Sequence, residues 1–223
     1  MTGRIVCAVC ALFLTGAGLA GDSETPATAT APQDRAPAIV ARQRGDRPPP
    51  QPQPRPHGRR IRVNPAIVAV DDGDTVTLKW PGEQPETVRI LGIDTPETRH
   101  PEHDIPYNQP FGLEARAFGQ GAFATATDVE LLRASTLDPY GRTLGYLFLN
   151  GRNYSTLVVR ARLAEESVSR YGDNGFPAEA AAVAAAARAA GPLPFEPPGV
   201  FRSRMRAVTK RMREDGQDPG QVP

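Results

Sequence analysis

Short apolar or alternating segments typical of β-strands begin near residue 66. AIVAV at 66–70 is separated by an Asp-Gly turn from TVTLK at 75–79, a pattern typical of a β-hairpin. A second turn, PGEQP, then leads into ETVRILGI at 86–93. This part of the chain is therefore predicted to form a meander of three strands.

The pattern changes after a loop rich in proline and histidine. Helical spacing of apolar residues predicts helices, and short β-branched or aromatic runs predict strands. The predicted order is a helix at 112–126, strands at 128–132 and 143–150, and helices at 154–164 and 177–190. Three strands, a helix and two strands are the order of an OB-fold barrel. The chain is therefore predicted to be an α+β protein, a five-stranded OB-fold β-barrel with about three packed helices over residues 63–192.

The N-terminus has the pattern of a signal peptide at residues 1–20. Arg4 precedes the apolar run 5–14, and Gly18-Leu19-Ala20 resembles a cleavage site. We therefore expect a secreted or periplasmic protein that touches a membrane only if this segment is not cleaved. Cys7 and Cys10 are the only cysteines, so the mature chain would contain no disulfide and no thiolate metal site.

Two further segments lack the composition of a folded core. Residues 21–62 are rich in proline and arginine and are predicted to be a disordered linker. Prolines return after Gly191, so residues 193–223 are predicted to be a flexible tail. The formal net charge is only +1, yet basic segments flank the acidic stretch 67–190. This distribution fits contact with a polyanion and is also common in solvated linkers.

Two aspartates stand where strands of the predicted barrel begin and end. Asp74 begins the second strand and Asp94 ends the third, so a meander can place both at one rim. Converging carboxylates favour a bound cation, and Thr95 would add a backbone carbonyl or a hydroxyl. The same residues also suit an ordinary hairpin turn and an ordinary strand exit, so spacing alone leaves both interpretations open.

Two arginines accompany these carboxylates. Arg89 lies within an apolar strand and needs a partner, either a structural acid or a phosphate. Arg142 closes the turn that begins at Asp138 and, taken alone, is a turn residue. His100 and His103 in the loop 98–110 would suit zinc or simple exposure to solvent.

Four segments together carry a family resemblance. DGDTV at 72–76, VRILGIDTPET at 88–98, FGLEARAF at 111–118 and DPYGRTLGY at 138–146 resemble the staphylococcal nuclease (thermonuclease) family in order and spacing. The resemblance covers about residues 66 to 190. It implies an OB-fold barrel with helices that hydrolyses phosphodiesters of DNA and RNA with Ca²⁺.

The resemblance also implies a role for each residue of the site. Calcium ligands would be Asp74, Asp94 and Thr95, the general base Glu97, the phosphate clamp Arg89 and Arg142, and nucleotide contacts Tyr140 and Tyr171. The stiff Thr95-Pro96 step would hold the base beside the metal. The chain departs from the family at Pro139, where a lysine is frequent, and in having only Tyr171 after the later helix.

Together these features favour an exported calcium-dependent nuclease with nucleic acid as substrate. A monomer without an obligate protein partner is expected. One alternative is a catalytically weak or inactive OB-fold module that binds nucleic acid. Another is an extracellular scaffold stabilised by calcium. The presence of Arg89, Glu97 and Arg142 favours the enzyme over both.

Overall fold

The computed structural model describes residues 50–222. The predicted signal peptide and most of the predicted linker lie outside this range. The strands are β1 (Arg60–Val63), β2 (Val68–Val70), β3 (Thr75–Leu78), β4 (Glu86–Ile90), β5 (Ile93–Asp94), β6 (Val129–Leu137), β7 (Thr143–Leu149), β8 (Arg152–Asn153) and β9 (Glu165–Glu166). The helices are α1 (Gly112–Ala124), α2 (Tyr154–Arg160), α3 (Val168–Tyr171), α4 (Pro177–Ala190) and α5 (Pro198–Glu214).

The two end strands of the main sheet are consecutive in the chain. Its strand order is β1-β6-β7-β4-β3-β2, with β8 added beside β7. The two end strands, β1 and β2, are consecutive and are joined by one 3₁₀ turn, Pro65–Ile67. They therefore act as a single bent strand that pairs with β6 on one side and β3 on the other. Together with β3, β4, β6 and β7 it supplies the predicted five strands, and the predicted α+β class is confirmed.

The core fills the space between this sheet and helices α1, α2 and α4. Tyr154 at the start of α2 is fully buried, and its ring lies 5.2 Å from that of Phe123 in α1. The Tyr154 hydroxyl donates a hydrogen bond of 2.8 Å to the carbonyl of Gly73. The core thereby fixes the turn that immediately precedes Asp74.

A charged pair is buried inside the barrel. Arg133 of β6 donates two hydrogen bonds of 2.7 Å to the carboxylate of Glu86 in β4. Thr143 and Trp80 donate to the same carboxylate. Burial alone would raise the pKa of Glu86, but the hydrogen bonds from Arg133, Thr143 and Trp80 outweigh it and lower that pKa.

The predicted strand over 86–93 is in fact divided at Gly92. Gly92 has φ of +81°, a left-handed backbone that L residues with side chains rarely adopt. The chain bends there, and Ile93–Asp94 pairs with Glu165–Glu166 in a separate two-stranded sheet. The bend directs Asp94 away from the main sheet.

The end of the predicted linker is attached to the barrel. Pro52 forms a bridge with Thr136, and Gln53 Nε2 donates to Thr143 Oγ1 over 3.1 Å. Arg55 forms an ion pair of 2.7 Å with Glu83. The prediction of disorder is therefore wrong for residues 50–62, because proline-rich chain can still pair with a sheet edge through its remaining polar groups.

The predicted flexible tail contains the longest helix among residues 50–222. Phe201 and Met205 of α5 are buried with Ile105 in a small apolar cluster of their own. Phe201, Met205, Val208 and Met212 recur at helical spacing, which indicates an amphipathic helix. The prolines before Pro198 obscured this signal, although proline is well tolerated in the first turn of a helix. Within residues 50–222 no helix combines the length and apolar character needed to cross a membrane.

Candidate active site

Asp74 and Asp94 lie close to a single arginine. Arg89 projects from β4, and its Nη1 lies 3.0 Å from Asp74 Oδ1. Its Nη2 lies 3.2 Å from Asp94 Oδ1. Thr75 pairs with Arg89 across the β3–β4 ladder, which brings Asp74 beside it. The acids that pair with Arg89 are therefore the two candidate metal ligands themselves.

Thr95 fixes the orientation of Asp74. Its backbone N–H and its hydroxyl donate to Asp74 Oδ2 over 2.7 and 3.0 Å. Burial raises the pKa of Asp74 to about 7, with Arg89 opposing that rise and the neighbouring Asp72 and Asp94 adding to it. The anionic form of this buried carboxylate is therefore poorly solvated, and a further cation beside it would lower its pKa.

Gln109 holds the backbone that carries Glu97. The Gln109 side-chain oxygen accepts from the Glu97 N–H over 3.1 Å, and the Gln109 N–H donates to the Glu97 carbonyl over 2.8 Å. Burial raises the pKa of the Glu97 carboxyl, and a neighbouring Arg202 partly offsets this. Sequence analysis missed Gln109, because a lone glutamine in a loop carries no recognisable signal.

Arg202 is the second residue that sequence analysis missed. It projects from α5, and its Nη1 and Nη2 lie 3.0 and 2.7 Å from the two oxygens of Asp94. Nη1 also forms an ion pair with Glu97 Oε1. The amphipathic pattern of α5 and its basic composition were the available signals.

Arg142 and Tyr140 lie at the turn before β7. Arg142 Nε pairs with Asp138 Oδ2 over 2.7 Å, so its contact is with this turn acid and not with the carboxylates around Arg89. The β4–β7 pairing sets Leu144 opposite Arg89, which places the turn beside the same strand. Tyr140 is 85% exposed, and the Arg142 guanidinium lies 5.6 Å from its ring.

Tyr171 lies at the end of α3, apart from the carboxylates. Its side chain is exposed, and the guanidinium of Arg170 lies 5.9 Å from its ring. Arg170 forms a long ion pair of 3.8 Å with Glu165, which is paired in register with Asp94. The strand β9 therefore links the end of α3 to Asp94.

Comparison with known proteins gives the family. Residues 87–191 match the family described as "Staphylococcal nuclease homologue". This segment belongs to the staphylococcal nuclease family. A thermonuclease of Staphylococcus hyicus is 34% identical over 105 residues, which are 47% of this chain and 59% of that protein. Endonuclease YncB of Bacillus subtilis is 30% identical over 103 residues, 46% of this chain and 47% of that protein.

The staphylococcal nuclease segment contains most of the candidate site. It includes Arg89, Asp94, Thr95, Glu97, Tyr140, Arg142 and Tyr171. Asp74 precedes the matched residues, and Arg202 with all of α5 follows them. The chain spans about half the length of the relatives it matches. The expected resemblance is confirmed, and α5 is a feature outside it.

The oxygen atoms of Asp74, Asp94 and Thr95 suit a hard cation, although guanidinium groups contact the two carboxylates. Within residues 50–222 no group of three or more histidine, cysteine, aspartate or glutamate side chains is arranged to hold a metal ion. Arg202 bridges Asp94 and Glu97. Carboxylate oxygens that attract a guanidinium also suit Ca²⁺, so the residues fit the ion that the resemblance implies.

The zinc alternative receives no support from the loop geometry. His100 Nε2 lies 2.9 Å from Thr98 Oγ1, and His100 Nδ1 lies 3.1 Å from Glu102 Oε1. The His100 and His103 rings are 6.2 Å apart and tilted. Both nitrogens of His100 thus have local partners.

The backbone beside Glu97 leaves no room for a side chain at Gly112. A Cβ added there would overlap the Glu97 carbonyl oxygen. We expect Gly112→Ala to lower the free energy of unfolding by about 1–3 kcal/mol, the usual cost of overpacking. Urea unfolding followed by circular dichroism measures this change.

Gly121 in the same helix provides the matched control. A Cβ added at Gly121 meets no atom within 4 Å. Gly121→Ala should therefore stabilise the protein by up to about 1 kcal/mol through helix propensity. Equal effects of the two substitutions on stability would show that overlap with the Glu97 carbonyl does not explain the effect of Gly112→Ala.

Proposed function

We propose that the protein is an exported, calcium-dependent nuclease that hydrolyses phosphodiester bonds of DNA or RNA. One observation carries the proposal: Asp74, Asp94, Arg89 and Glu97 converge at one end of the barrel. The relatives named thermonuclease and endonuclease support it. Export is proposed from the signal-peptide pattern of residues 1–20.

The cation would be held by oxygen donors from two neighbouring elements. The carboxylates of Asp74 and Asp94 and the backbone carbonyl of Thr95 are the proposed ligands. When bound, Ca²⁺ would supply positive charge that stabilises the negative charge developing on the phosphate. The hydrogen bonds from Thr95 to Asp74 support this assignment, because they fix one carboxylate in place before the ion arrives.

Glu97 is the proposed general base. Its carboxylate would accept a proton from a water molecule whose oxygen attacks phosphorus, while the bond from phosphorus to the leaving oxygen breaks. The raised pKa of Glu97 supports the role, since a more basic carboxylate accepts a proton more readily. The two hydrogen bonds with Gln109 position the backbone that carries it.

The substrate phosphate would bind to Arg89 and Arg142. A guanidinium can donate two parallel hydrogen bonds to phosphate oxygens. Two guanidinium groups can therefore stabilise the negative charge that develops on the phosphate in the transition state. Arg89 is already adjacent to the carboxylates, whereas Arg142 would have to leave Asp138 for the phosphate. The exposed Tyr140 beside Arg142 is the proposed contact for a neighbouring nucleotide, and Tyr171 for a second one.

Removal of calcium tests the function directly. The purified protein is incubated with denatured DNA in CaCl₂ or in excess EGTA, and acid-soluble nucleotides are measured. We expect release in CaCl₂, none above background in EGTA, and full recovery when CaCl₂ is restored. Equal release in EGTA would contradict the calcium requirement, and calcium-dependent DNA binding without products would assign the binding-module alternative.

A further inference from the structure

The Arg202 guanidinium contacts the same carboxylate that the proposed calcium ion would use. Its two nitrogens face both oxygens of Asp94 at 3.0 and 2.7 Å, and Nη1 also contacts Glu97. Arg89 Nη2 also contacts Asp94 Oδ1, at 3.2 Å. Both oxygens of Asp94 thus already accept hydrogen bonds from guanidinium groups.

Helix α5, which carries Arg202, packs against the loop that follows Glu97. The adjacent Phe201 is buried with Met205 and Ile105, the last of these from the loop that follows Glu97. The hydroxyl of the fully buried Thr209 donates to the Asp104 carbonyl over 3.2 Å, and Arg213 forms an ion pair of 2.8 Å with the Asp104 carboxylate. The backbone that carries Arg202 is therefore fixed beside Asp94, and the planar guanidinium loses less side-chain entropy for each hydrogen bond than a flexible ammonium would.

The two cations compete for these ligands. A divalent ion on Asp94 needs at least one carboxylate oxygen at bonding distance and repels a guanidinium that contacts the same group. Glu97, the proposed base, is engaged by Arg202 as well. Calcium binding must therefore weaken or displace the Arg202–Asp94 contact, and the energy of that contact opposes binding.

We infer that Arg202 sets the calcium affinity of the site by competing for Asp94 and Glu97. The inference rests on the proposed function, because it takes Asp94 as a calcium ligand. Arg202 acts through these carboxylates and is a positioning residue. Since α5 lies beyond the matched segment 87–191, this control belongs to the C-terminal extension of the chain.

Calorimetric titration with CaCl₂ tests the inference without DNA. Arg202→Gln should bind Ca²⁺ at least about tenfold more tightly than the wild type, a gain of about 1.4 kcal/mol. Arg204→Gln is the matched control: it removes an equal charge two residues along α5, where Arg204 pairs with Glu196. Its dissociation constant should stay within about twofold of the wild-type value.

Two outcomes of the titration would overturn the inference. An Arg202→Gln protein whose calcium affinity equals or falls below that of the wild type would show that Arg202 does not compete. An equal gain in both variants would show a general effect of charge and would also overturn it. Arg202→Lys retains the charge without the paired nitrogens, so its dissociation constant should fall between those of the wild type and Arg202→Gln.

A measurement on the wild type covers the case in which the variants fold poorly. The ¹⁵N-¹H resonance of the Arg202 guanidinium should move during CaCl₂ titration, with the dissociation constant found by calorimetry. A resonance that stays fixed at calcium saturation overturns the inference. Failure of DNA hydrolysis would leave these readouts unaffected, so the two proposals fail separately.

Discussion

Replacing Glu97 with glutamine should lower the rate of DNA hydrolysis about 100- to 10,000-fold, the usual contribution of general acid–base catalysis. The amide keeps the size of the side chain but accepts no proton from the attacking water. The backbone hydrogen bonds between Glu97 and Gln109 do not depend on the carboxylate, so the fold should persist. The initial rate at saturating CaCl₂ measures the effect, and circular dichroism checks the fold.

Glu114→Gln is the matched control for this substitution. Glu114 lies on the exposed face in the first turn of α1, two residues after Gly112. Its loss of charge should leave the hydrolysis rate within about twofold of the wild type, because surface charges contribute little. A Glu97→Gln protein as active as the Glu114→Gln protein would remove Glu97 from the proposed mechanism.

Replacing Glu86 with glutamine should lower the free energy of unfolding by about 3–5 kcal/mol, the usual cost of removing one partner of a buried ion pair. The arginine left behind, Arg133, is only 2% exposed. Its guanidinium would keep a buried charge without a counter-charge. Urea unfolding measures the loss, with Glu83→Gln as the control. Glu83 is exposed and pairs with Arg55, so its replacement should cost less than about 1 kcal/mol.

The same pair predicts how stability depends on pH. The pKa of Glu86 is lower in the folded protein than its ordinary value of 4.5. Its contribution is therefore fully present above that ordinary value and is lost as the pH falls through the folded-state pKa. The Glu86→Gln protein should lack this part of the acid-induced loss. An identical loss in the two proteins as the pH falls below 4.5 would contradict the assignment.

Local patterns in the sequence were sufficient for strands β2, β3, β4, β6 and β7 and for the motif residues, whereas β1, β5, β8 and β9 were not predicted as separate strands. Asp-Gly at 72–73, the alternation at 75–79 and the segment around Asp94 are each determined by neighbouring residues. Their convergence could be predicted because a meander brings a strand start and a strand end to one rim. The family resemblance then assigned roles that spacing alone left open.

Contacts between residues distant in the sequence could not be predicted in this way. Arg202 meets Asp94 across 108 positions, and Arg133 meets Glu86 across 47. Neither arginine differs locally from the many others in the chain. The bend at Gly92 was also missed, because a glycine within an apolar run is compatible with a continuous strand until its φ is known.

Hydrolysis in ¹⁸O-labelled water tests the central claim most directly. A short oligonucleotide is incubated with the wild-type protein in CaCl₂, and its products are weighed by mass spectrometry. The account predicts cleaved products that carry one solvent oxygen on the new terminal phosphate, and none in EGTA. An oligonucleotide that is bound in CaCl₂ yet stays intact, or one that is cleaved equally in EGTA, would contradict it.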